Sequence, residues 1–99
     1  MAELRALVQK VRSKNAGPFW LTIDIFCGSA AAYTVVQPRL DTASVARVFD
    51  KDPATFKRFD IPDLHVIKIS LPRPTIQGAI EDRDMHGASW AALVGEMQI

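Results

Sequence analysis

The sequence predicts one α+β domain over residues 1–99, with helices on one face of a mostly antiparallel sheet. Two strands are indicated by alternating side chains over residues 19–26 and 64–71, "FWLTIDIF" and "LHVIKISL". Between them lie an alanine-rich stretch and a second short apolar stretch, both with helix-capping residues. Strands on both sides of a helical middle, in a chain this short, favour a ferredoxin-like sandwich.

The first segment, "AELRALVQKVRSK" at residues 2–14, fits two patterns. Leu4, Leu7 and Val8 have the spacing of a helix. Leu4, Ala6 and Val8 also alternate as the residues of a strand do. Periodicity therefore leaves this segment open between helix and strand.

The alternation assigns the side chains of the two strands to faces. In the first strand, one face carries Phe19, Leu21, Ile23 and Ile25, and the other carries Trp20, Thr22, Asp24 and Phe26. In the second strand, one face carries His65, Ile67, Ile69 and Leu71, and the other carries Leu64, Val66, Lys68 and Ser70. Each strand therefore has one face suited to a core, and the second strand is expected to be central.

Capping residues and prolines indicate where the helices begin and end. Ser29 is placed to accept hydrogen bonds from the first amides of an alanine-rich helix, which Pro38 stops after Val36. Asp41 or Thr42 caps a second short helix with an apolar stripe at positions i, i+3 and i+4.

The second half of the chain contains two less regular segments. After a turn that begins with an Asp-Pro pair, residues 56–61 are expected to be extended. Residues 72–89 read as a long polar connection, because its prolines cannot donate to a β-ladder and its glycines relax the backbone. The closing segment "WAALVGEMQI", residues 90–99, is compatible with a helix, a strand, or one followed by the other.

Composition excludes several classes of protein. The chain has 12 Lys and Arg residues against 11 Asp and Glu residues, and a net charge of +1 provides no uniform field to attract nucleic acid or a membrane. The single cysteine, Cys27, excludes an internal disulfide framework. No apolar run approaches the roughly 18 residues that span a bilayer, and the N-terminus does not resemble a signal peptide. A cytoplasmic location is therefore expected by default.

Two stretches carry a resemblance to a known family. With "VRSKNAGPFWLTIDIF" at residues 11–26 and "IKISLPRPTIQGAIEDRDMHGA" at residues 67–88, the chain resembles small proteins encoded beside, or fused to, proteins similar to acyclic terpene utilisation protein A. The resemblance covers nearly the whole chain. The larger proteins often carry a C-terminal ferredoxin-like domain in which an "RSG"-type basic loop follows the first strand. By this resemblance the opening segment is expected to be a strand, and "RSKNAGPF" the loop that leaves it.

The resemblance implies a small partner subunit for a larger protein that handles carboxylates or acyl groups. It supplies no catalytic residues. After "DMHGA" this sequence reads "SWAAL", residues 89–93. The resemblance leads us to expect amide and histidine side chains at these positions in many relatives. No role of those side chains is therefore carried over to this chain.

The donor-rich stretch "RSKNAGPF", residues 12–19, is the candidate anion site. Arg12 is suited to hold a carboxylate or phosphate with two hydrogen bonds, and Lys14 adds a point charge. Ser13 and Asn15 add directional hydrogen bonds. Gly17 lets a backbone amide approach the anion. The alternative is a solvated turn whose cations pair with carboxylates on neighbouring loops.

The secondary candidates are Lys68, Arg73, Asp82, Asp84 and His86. In an extended backbone Asp82, Asp84 and His86 point the same way, which suits acid–base chemistry or a divalent metal. Their spacing matches no motif that specifies its own geometry, so a charged loop is favoured, and no metal or cofactor is expected. Lys68 lies in the middle of a strand, and it either reaches the sheet edge, pairs with a carboxylate such as Asp24, or meets an anion of a partner chain.

Four further residues are interpreted mainly as structural. His65 alternates with buried aliphatic residues and is expected to be a hydrogen-bonded structural histidine. Cys27 has no neighbouring group that would activate a thiolate, and no role is assigned to it. Trp20 and Trp90 are expected either to pack in the core or, if exposed on the second sheet face, to anchor an interface.

The favoured function is a small subunit of a hetero-oligomeric enzyme of lyase, hydratase or isomerase type, which acts on carboxylates or acyl-CoA thioesters. This subunit helps to complete the site of a larger acyclic terpene utilisation A-like partner. The alternative is a stand-alone lyase or isomerase that uses Lys14, Asp84 and His86 at a homo-oligomer interface. A third interpretation is an RNA-binding sheet, which Trp20 and Phe26 support and the near-neutral charge opposes.

Overall fold

The computed structural model describes residues 2–17, 19–72 and 90–99. The elements in chain order are α1 (Leu4–Leu7), β1 (Lys10–Asn15), β2 (Trp20–Phe26), α2 (Ala30–Arg39), α3 (Thr42–Val48), β3 (Lys57–Ile61), β4 (Val66–Pro72) and α4 (Trp90–Gly95). Single 3-10 turns at Pro53–Thr55 and Pro62–Leu64 precede and follow β3. None of the helices in the described residues has both the length and the apolar composition that a membrane-spanning helix needs.

The four strands form one sheet in the order β1-β2-β4-β3, and every neighbouring pair is antiparallel. The chain forms the hairpin of β1 and β2, passes through α2 and α3, forms the hairpin of β3 and β4, and later returns as α4. This architecture confirms the predicted α+β class and is compatible with a ferredoxin-like sandwich. The predicted central position of β4 is also confirmed.

One face of the sheet forms the core with the helices. The two central strands contribute six fully buried side chains, Leu21, Ile23, Ile25, Ile67, Ile69 and Leu71. The helical layer contributes Leu4, Val36, Leu40, Val45 and Val94. Within β2 and β4 the predicted core row is confirmed as buried. Phe19 and His65, which the alternation assigns to the same faces, lie outside the strands, and Phe19 is 59% exposed because β2 begins only at Trp20.

Side-chain caps begin both central helices as predicted. The Ser29 hydroxyl accepts a hydrogen bond from the Ala32 amide at 3.1 Å, at the start of α2. The Asp41 carboxylate accepts one from the Ala43 amide at 3.2 Å, which makes Asp41 the cap of α3. Each bond satisfies an amide that has no partner within its own helix.

The end of α2 differs from the prediction. The helix continues to Arg39, so Pro38 lies inside its last turn and does not stop it after Val36. A proline in this position removes only one hydrogen bond near the helix end, and the Leu40 amide still donates to the Val36 carbonyl at 2.8 Å. The chain leaves the helix at Leu40, whose backbone is extended.

Each terminal segment combines a helix with extended backbone. In the opening segment α1 comes first, and the strand expected from the resemblance begins only at Lys10. In the closing segment α4 is followed by a single β-bridge between Gln98 and Glu3. The Leu4 amide also donates to the Met97 carbonyl at 2.8 Å, so the two ends of the chain are joined.

A polar cluster joins the edge strand β3 to the end of α2. The Arg58 guanidinium donates to the carbonyls of Gln37 and Leu40 and forms an ion pair with Asp60 at 2.7 Å. The Gln37 side chain also donates to the Asp60 carboxylate at 3.0 Å. Arg58 therefore satisfies carbonyls near the C-terminus of a helix, where a cation also interacts favourably with the helix dipole.

We expect Asp60 to make the stability of the fold sensitive to acid. Burial on its own would raise the pKa of Asp60, but hydrogen bonds from Arg58 and Gln37 outweigh it and hold the pKa below its usual value. Its stabilising contribution is complete above the usual Asp pKa of about 3.9 and is lost as the pH falls through the lower pKa of the folded state. Urea unfolding at pH 7 and pH 3 should therefore show a smaller loss of stability on acidification for Asp60→Asn than for the parent.

The matched control is Asp63→Asn, because Asp63 is exposed in the turn before β4. This variant should lose as much stability on acidification as the parent does. Equal losses for the parent and Asp60→Asn would contradict the prediction.

Candidate functional site

The donor-rich stretch of residues 12–19 is only in part a loop. Its first four residues, "RSKN", belong to β1 and pair with β2, and the hairpin turn begins at Ala16. Gly17 lies in that turn with a φ of +84°, a conformation that favours glycine. The expectation that "RSKNAGPF" is a loop leaving the first strand is therefore corrected for its first half.

The strand pleat places the four polar residues of "RSKN" on two faces of the sheet. Ser13 and Asn15 are paired with the buried Ile23 and Leu21 and share the face that packs against the helices. Arg12 and Lys14 are exposed on the opposite face. The four side chains therefore do not form one shell around a single anion, because successive residues of a strand point to opposite sides.

Ser13 has a structural contact on the inner face. Its hydroxyl accepts a hydrogen bond from the Ala91 amide at 2.8 Å, in the first turn of α4. The amides of a first helical turn have no partner within the helix, and Ser13 supplies one from a neighbouring strand. The hydroxyl therefore holds α4 against β1.

We expect Ser13→Ala to destabilise the fold by about 1 kcal/mol, because the Ala91 amide loses its acceptor. Ser13→Thr retains a hydroxyl at this position, and Lys14→Ala changes a neighbouring side chain that is exposed on the other face. Both controls should stay within about 0.5 kcal/mol of the parent. Chemical denaturation measures all three, and a Ser13→Ala variant as stable as the parent would show that this bond does not hold α4.

The sheet face opposite the helices, called the outer face below, concentrates positive charge. The strand register places on it five cationic side chains, Lys10, Arg12, Lys14, Lys57 and Lys68. Among the described strand positions of this face, the one carboxylate is Asp24. The described strand positions of the outer face therefore carry an excess of positive charge that the net charge of +1 for the whole chain does not reveal.

Aromatic side chains lie among these cations. Trp20 is 40% exposed and Phe59 is 51% exposed. The Lys57 ammonium lies 5.8 Å from the centre of the Trp20 ring, and the Lys10 ammonium lies 4.7 Å from the centre of the Phe26 ring. Both distances are within the range of cation–π contacts. The outer face is therefore both cationic and aromatic.

A shallow cavity of about 240 Å³ lies at one end of the outer face. Trp20, Lys57, Phe59, Ser70 and Ala16 line it. These residues come from β2, β3, β4 and the hairpin turn, so the antiparallel register assembles the cavity from segments that are distant in sequence. Its lining combines two aromatic rings, one ammonium group and one hydroxyl.

A charged row crosses the middle of the outer face. Arg12, Asp24 and Lys68 occupy paired positions on β1, β2 and β4. The Lys68 ammonium lies 3.9 Å from an Asp24 oxygen, which corresponds to one of the three alternatives given for Lys68, pairing with this carboxylate. The Asp24 side chain is only 14% exposed, and that oxygen accepts no hydrogen bond within the described residues. A carboxylate between two cations limits how much of their charge reaches an external anion.

The remaining candidates of the described chain have structural contacts. The His65 ring packs 6.4 Å from the Tyr33 ring, and the His65 carbonyl accepts a hydrogen bond from the amide of Cys27. Burial raises the pKa of the Cys27 thiol, which disfavours the nucleophilic thiolate. Trp90 packs edge-on against Phe49 at 5.6 Å, so the two tryptophans differ: Trp20 is exposed on the outer face and Trp90 contacts the core.

Four secondary candidates, Arg73, Asp82, Asp84 and His86, lie outside the described residues. Within the described ranges, no group of three or more His, Cys, Asp or Glu side chains could hold a metal ion.

Sequence reasoning missed Lys57, Phe59 and Ser70 as members of one site. The available signal was the alternation of Lys57, Phe59 and Ile61 in β3, which places these three side chains on one face.

One protein family matches the chain. A family described as "Domain of unknown function (DUF4387)" matches residues 4–97 of the chain. No curated protein and no solved structure matches. All helices and strands named above lie inside the matched residues, so the outer face is part of the region that defines the family.

Proposed function

The chain belongs to the DUF4387 family, and we propose that it is the small subunit of a hetero-oligomeric enzyme that acts on carboxylates or acyl-CoA thioesters. The proposed partner is a larger acyclic terpene utilisation A-like protein, and the reaction is of lyase, hydratase or isomerase type. The observation that supports the proposal is the outer face, where five cations and exposed aromatic rings share one side of the sheet.

The outer face has the chemistry of a protein interface. Tryptophan and arginine are enriched among the residues that dominate binding energy, and Trp20 and Arg12 are both exposed there. The excess of cations favours a partner surface or substrate of negative charge. A carboxylate held between the two subunits would satisfy both features at once.

Lys14 and Lys57 are the cations we assign to negative groups at the interface. They occupy the two ends of one row across the sheet, with Thr22 and Ser70 between them. Arg12 lies in the next row, at the β1 position paired with Asp24 on β2. In this proposal Lys14 and Lys57, at opposite edges of the sheet, contact separate negative groups of the substrate or of the larger subunit, and the larger subunit completes the site.

Co-expression of the chain with its larger partner tests the proposal. We expect the two proteins to elute together in size-exclusion chromatography, and we expect the complex to have an activity that neither subunit has alone. Separate elution with full activity of the larger protein would contradict the proposal. An active oligomer of the small chain alone would instead establish the stand-alone lyase or isomerase, and tight binding of single-stranded RNA would establish the RNA-binding interpretation.

A further inference from the structure

We propose that the cavity between Trp20 and Phe59 binds the nucleotide end of a coenzyme A thioester, with the adenine ring against the aromatic side chains and phosphate at Lys57. This inference rests on the function proposed above and specifies which part of the substrate this chain binds. The shared chemistry is a purine ring that carries phosphate, which free nucleotides also have.

The lining of the cavity fits a flat ring better than an aliphatic chain. Trp20 and Phe59 offer two exposed aromatic surfaces, and Ser70 lies on the strand between theirs. Any nucleobase can stack on an aromatic side chain, because every base has a π-face. The hydroxyl of Ser70 adds a group that can donate to or accept from the edge of a base.

The cations place phosphate beside that ring. The Lys57 ammonium lies 5.8 Å from the centre of the Trp20 ring, so a group that stacks on Trp20 brings its substituents close to a positive charge. Lys14 lies in the same row at the opposite edge of the sheet, about 14 Å away for three strand spacings. Two lysines at that separation suit a ligand with several phosphates better than a single carboxylate.

The size of the cavity limits how much of the ligand it holds. Its volume of about 240 Å³ is below the roughly 300–1,000 Å³ of pockets that enclose whole drug-sized ligands. A nucleotide end therefore occupies the cavity, and the acyl end extends away from it. In the proposed complex that acyl end reaches the larger subunit, where the reaction takes place.

Calorimetric titration of the full chain tests the inference with four probes: coenzyme A, ADP, pantetheine and a single-stranded RNA oligomer. We expect coenzyme A to bind and pantetheine, which lacks the nucleotide, to show no binding. ADP binding within about tenfold of coenzyme A would identify a site for nucleotides in general, and ADP binding that is weaker by more than that would identify coenzyme A as the ligand. Both results support a nucleotide subsite.

Three variants locate the site. Trp20→Ala, Phe59→Ala and Lys57→Ala should each weaken coenzyme A binding at least tenfold. Leu64→Ala and Lys51→Ala remove an exposed apolar and an exposed cationic side chain outside the cavity, and both should bind like the parent. Thermal unfolding confirms that all five variants are folded.

Three results would overturn the inference: no coenzyme A binding by the chain or by its complex, equal binding of pantetheine and coenzyme A, or RNA binding at least 100-fold tighter than coenzyme A. Failure of this inference can be distinguished from failure of the proposed function. A complex that assembles but binds no nucleotide would contradict only the nucleotide site. Nucleotide binding by a chain that does not assemble with the larger protein would contradict only the proposed partner.

Discussion

Replacing Ile23 by aspartate is expected to abolish the folded state. Ile23 is fully buried in the central strand β2, between Ser13 on β1 and Ile69 on β4. Loss of a buried isoleucine side chain costs about 2–5 kcal/mol, and an unpaired carboxylate in its place adds a further desolvation cost. Domains of this size have a total stability of about 5–15 kcal/mol, so the variant should be largely unfolded at 25 °C.

Circular dichroism and thermal unfolding measure this effect. The matched control is Phe59→Asp, which places the same carboxylate on a strand at a position that is half exposed. This control should keep the spectrum of the parent and a cooperative transition. A parent-like melting transition for Ile23→Asp would contradict the placement of β2 at the centre of the sheet.

The double variant Lys14→Glu with Lys57→Glu is expected to prevent assembly with the larger partner. The two substitutions reverse the charge of both lysines that we assign to negative groups at the interface, on opposite edges of the outer face. Like charges facing each other across an interface cost several kcal/mol, so we expect affinity to fall at least 100-fold. The fold should change little, because both lysines are exposed and exposed ion pairs contribute only about 0–1 kcal/mol.

The control for this variant makes the same change of charge elsewhere. Arg39→Glu with Lys51→Glu reverses two exposed cations that lie outside the sheet, at the end of α2 and after α3. Affinity for the partner, measured by surface plasmon resonance, should stay within about threefold of the parent. If both double variants lose affinity equally, net charge and not the outer face determines binding.

The central strands could be predicted because both carry a full apolar row on one face. β1 gave no such signal, since its inner face carries Val11, Ser13 and Asn15 and its outer face carries cations. On the inner face of β1, the Ser13 hydroxyl accepts a hydrogen bond from α4 where an apolar side chain would pack in a typical strand. This bond forms only when α4 packs against β1, so the local sequence pattern does not reveal it. The local pattern therefore gives no sign that "RSKN" belongs to a strand, and the resemblance, which predicts a loop there, does not supply one.

The outer face could be predicted only in part. The alternation puts Trp20 and Asp24 on one face of β2 and Lys68 and Ser70 on one face of β4, but it leaves Trp20 open between the core and an exposed interface. The register that brings Lys57 and Phe59 of β3 beside Trp20 is set by hairpin geometry and strand order, which local patterns do not specify. The net charge of +1 also concealed the positive face, because a sum over the chain contains no information about position.

Fluorine NMR of the chain labelled with 5-fluorotryptophan tests most directly whether the outer face contacts the larger partner. The chain has two tryptophans, Trp20 on the outer face and Trp90 against Phe49, and Trp20→Phe assigns their two resonances. On addition of the unlabelled larger protein, we predict that the Trp20 resonance shifts or broadens while the Trp90 resonance keeps its position. A complex that forms with the Trp20 resonance unchanged would show that the outer face does not contact the larger partner.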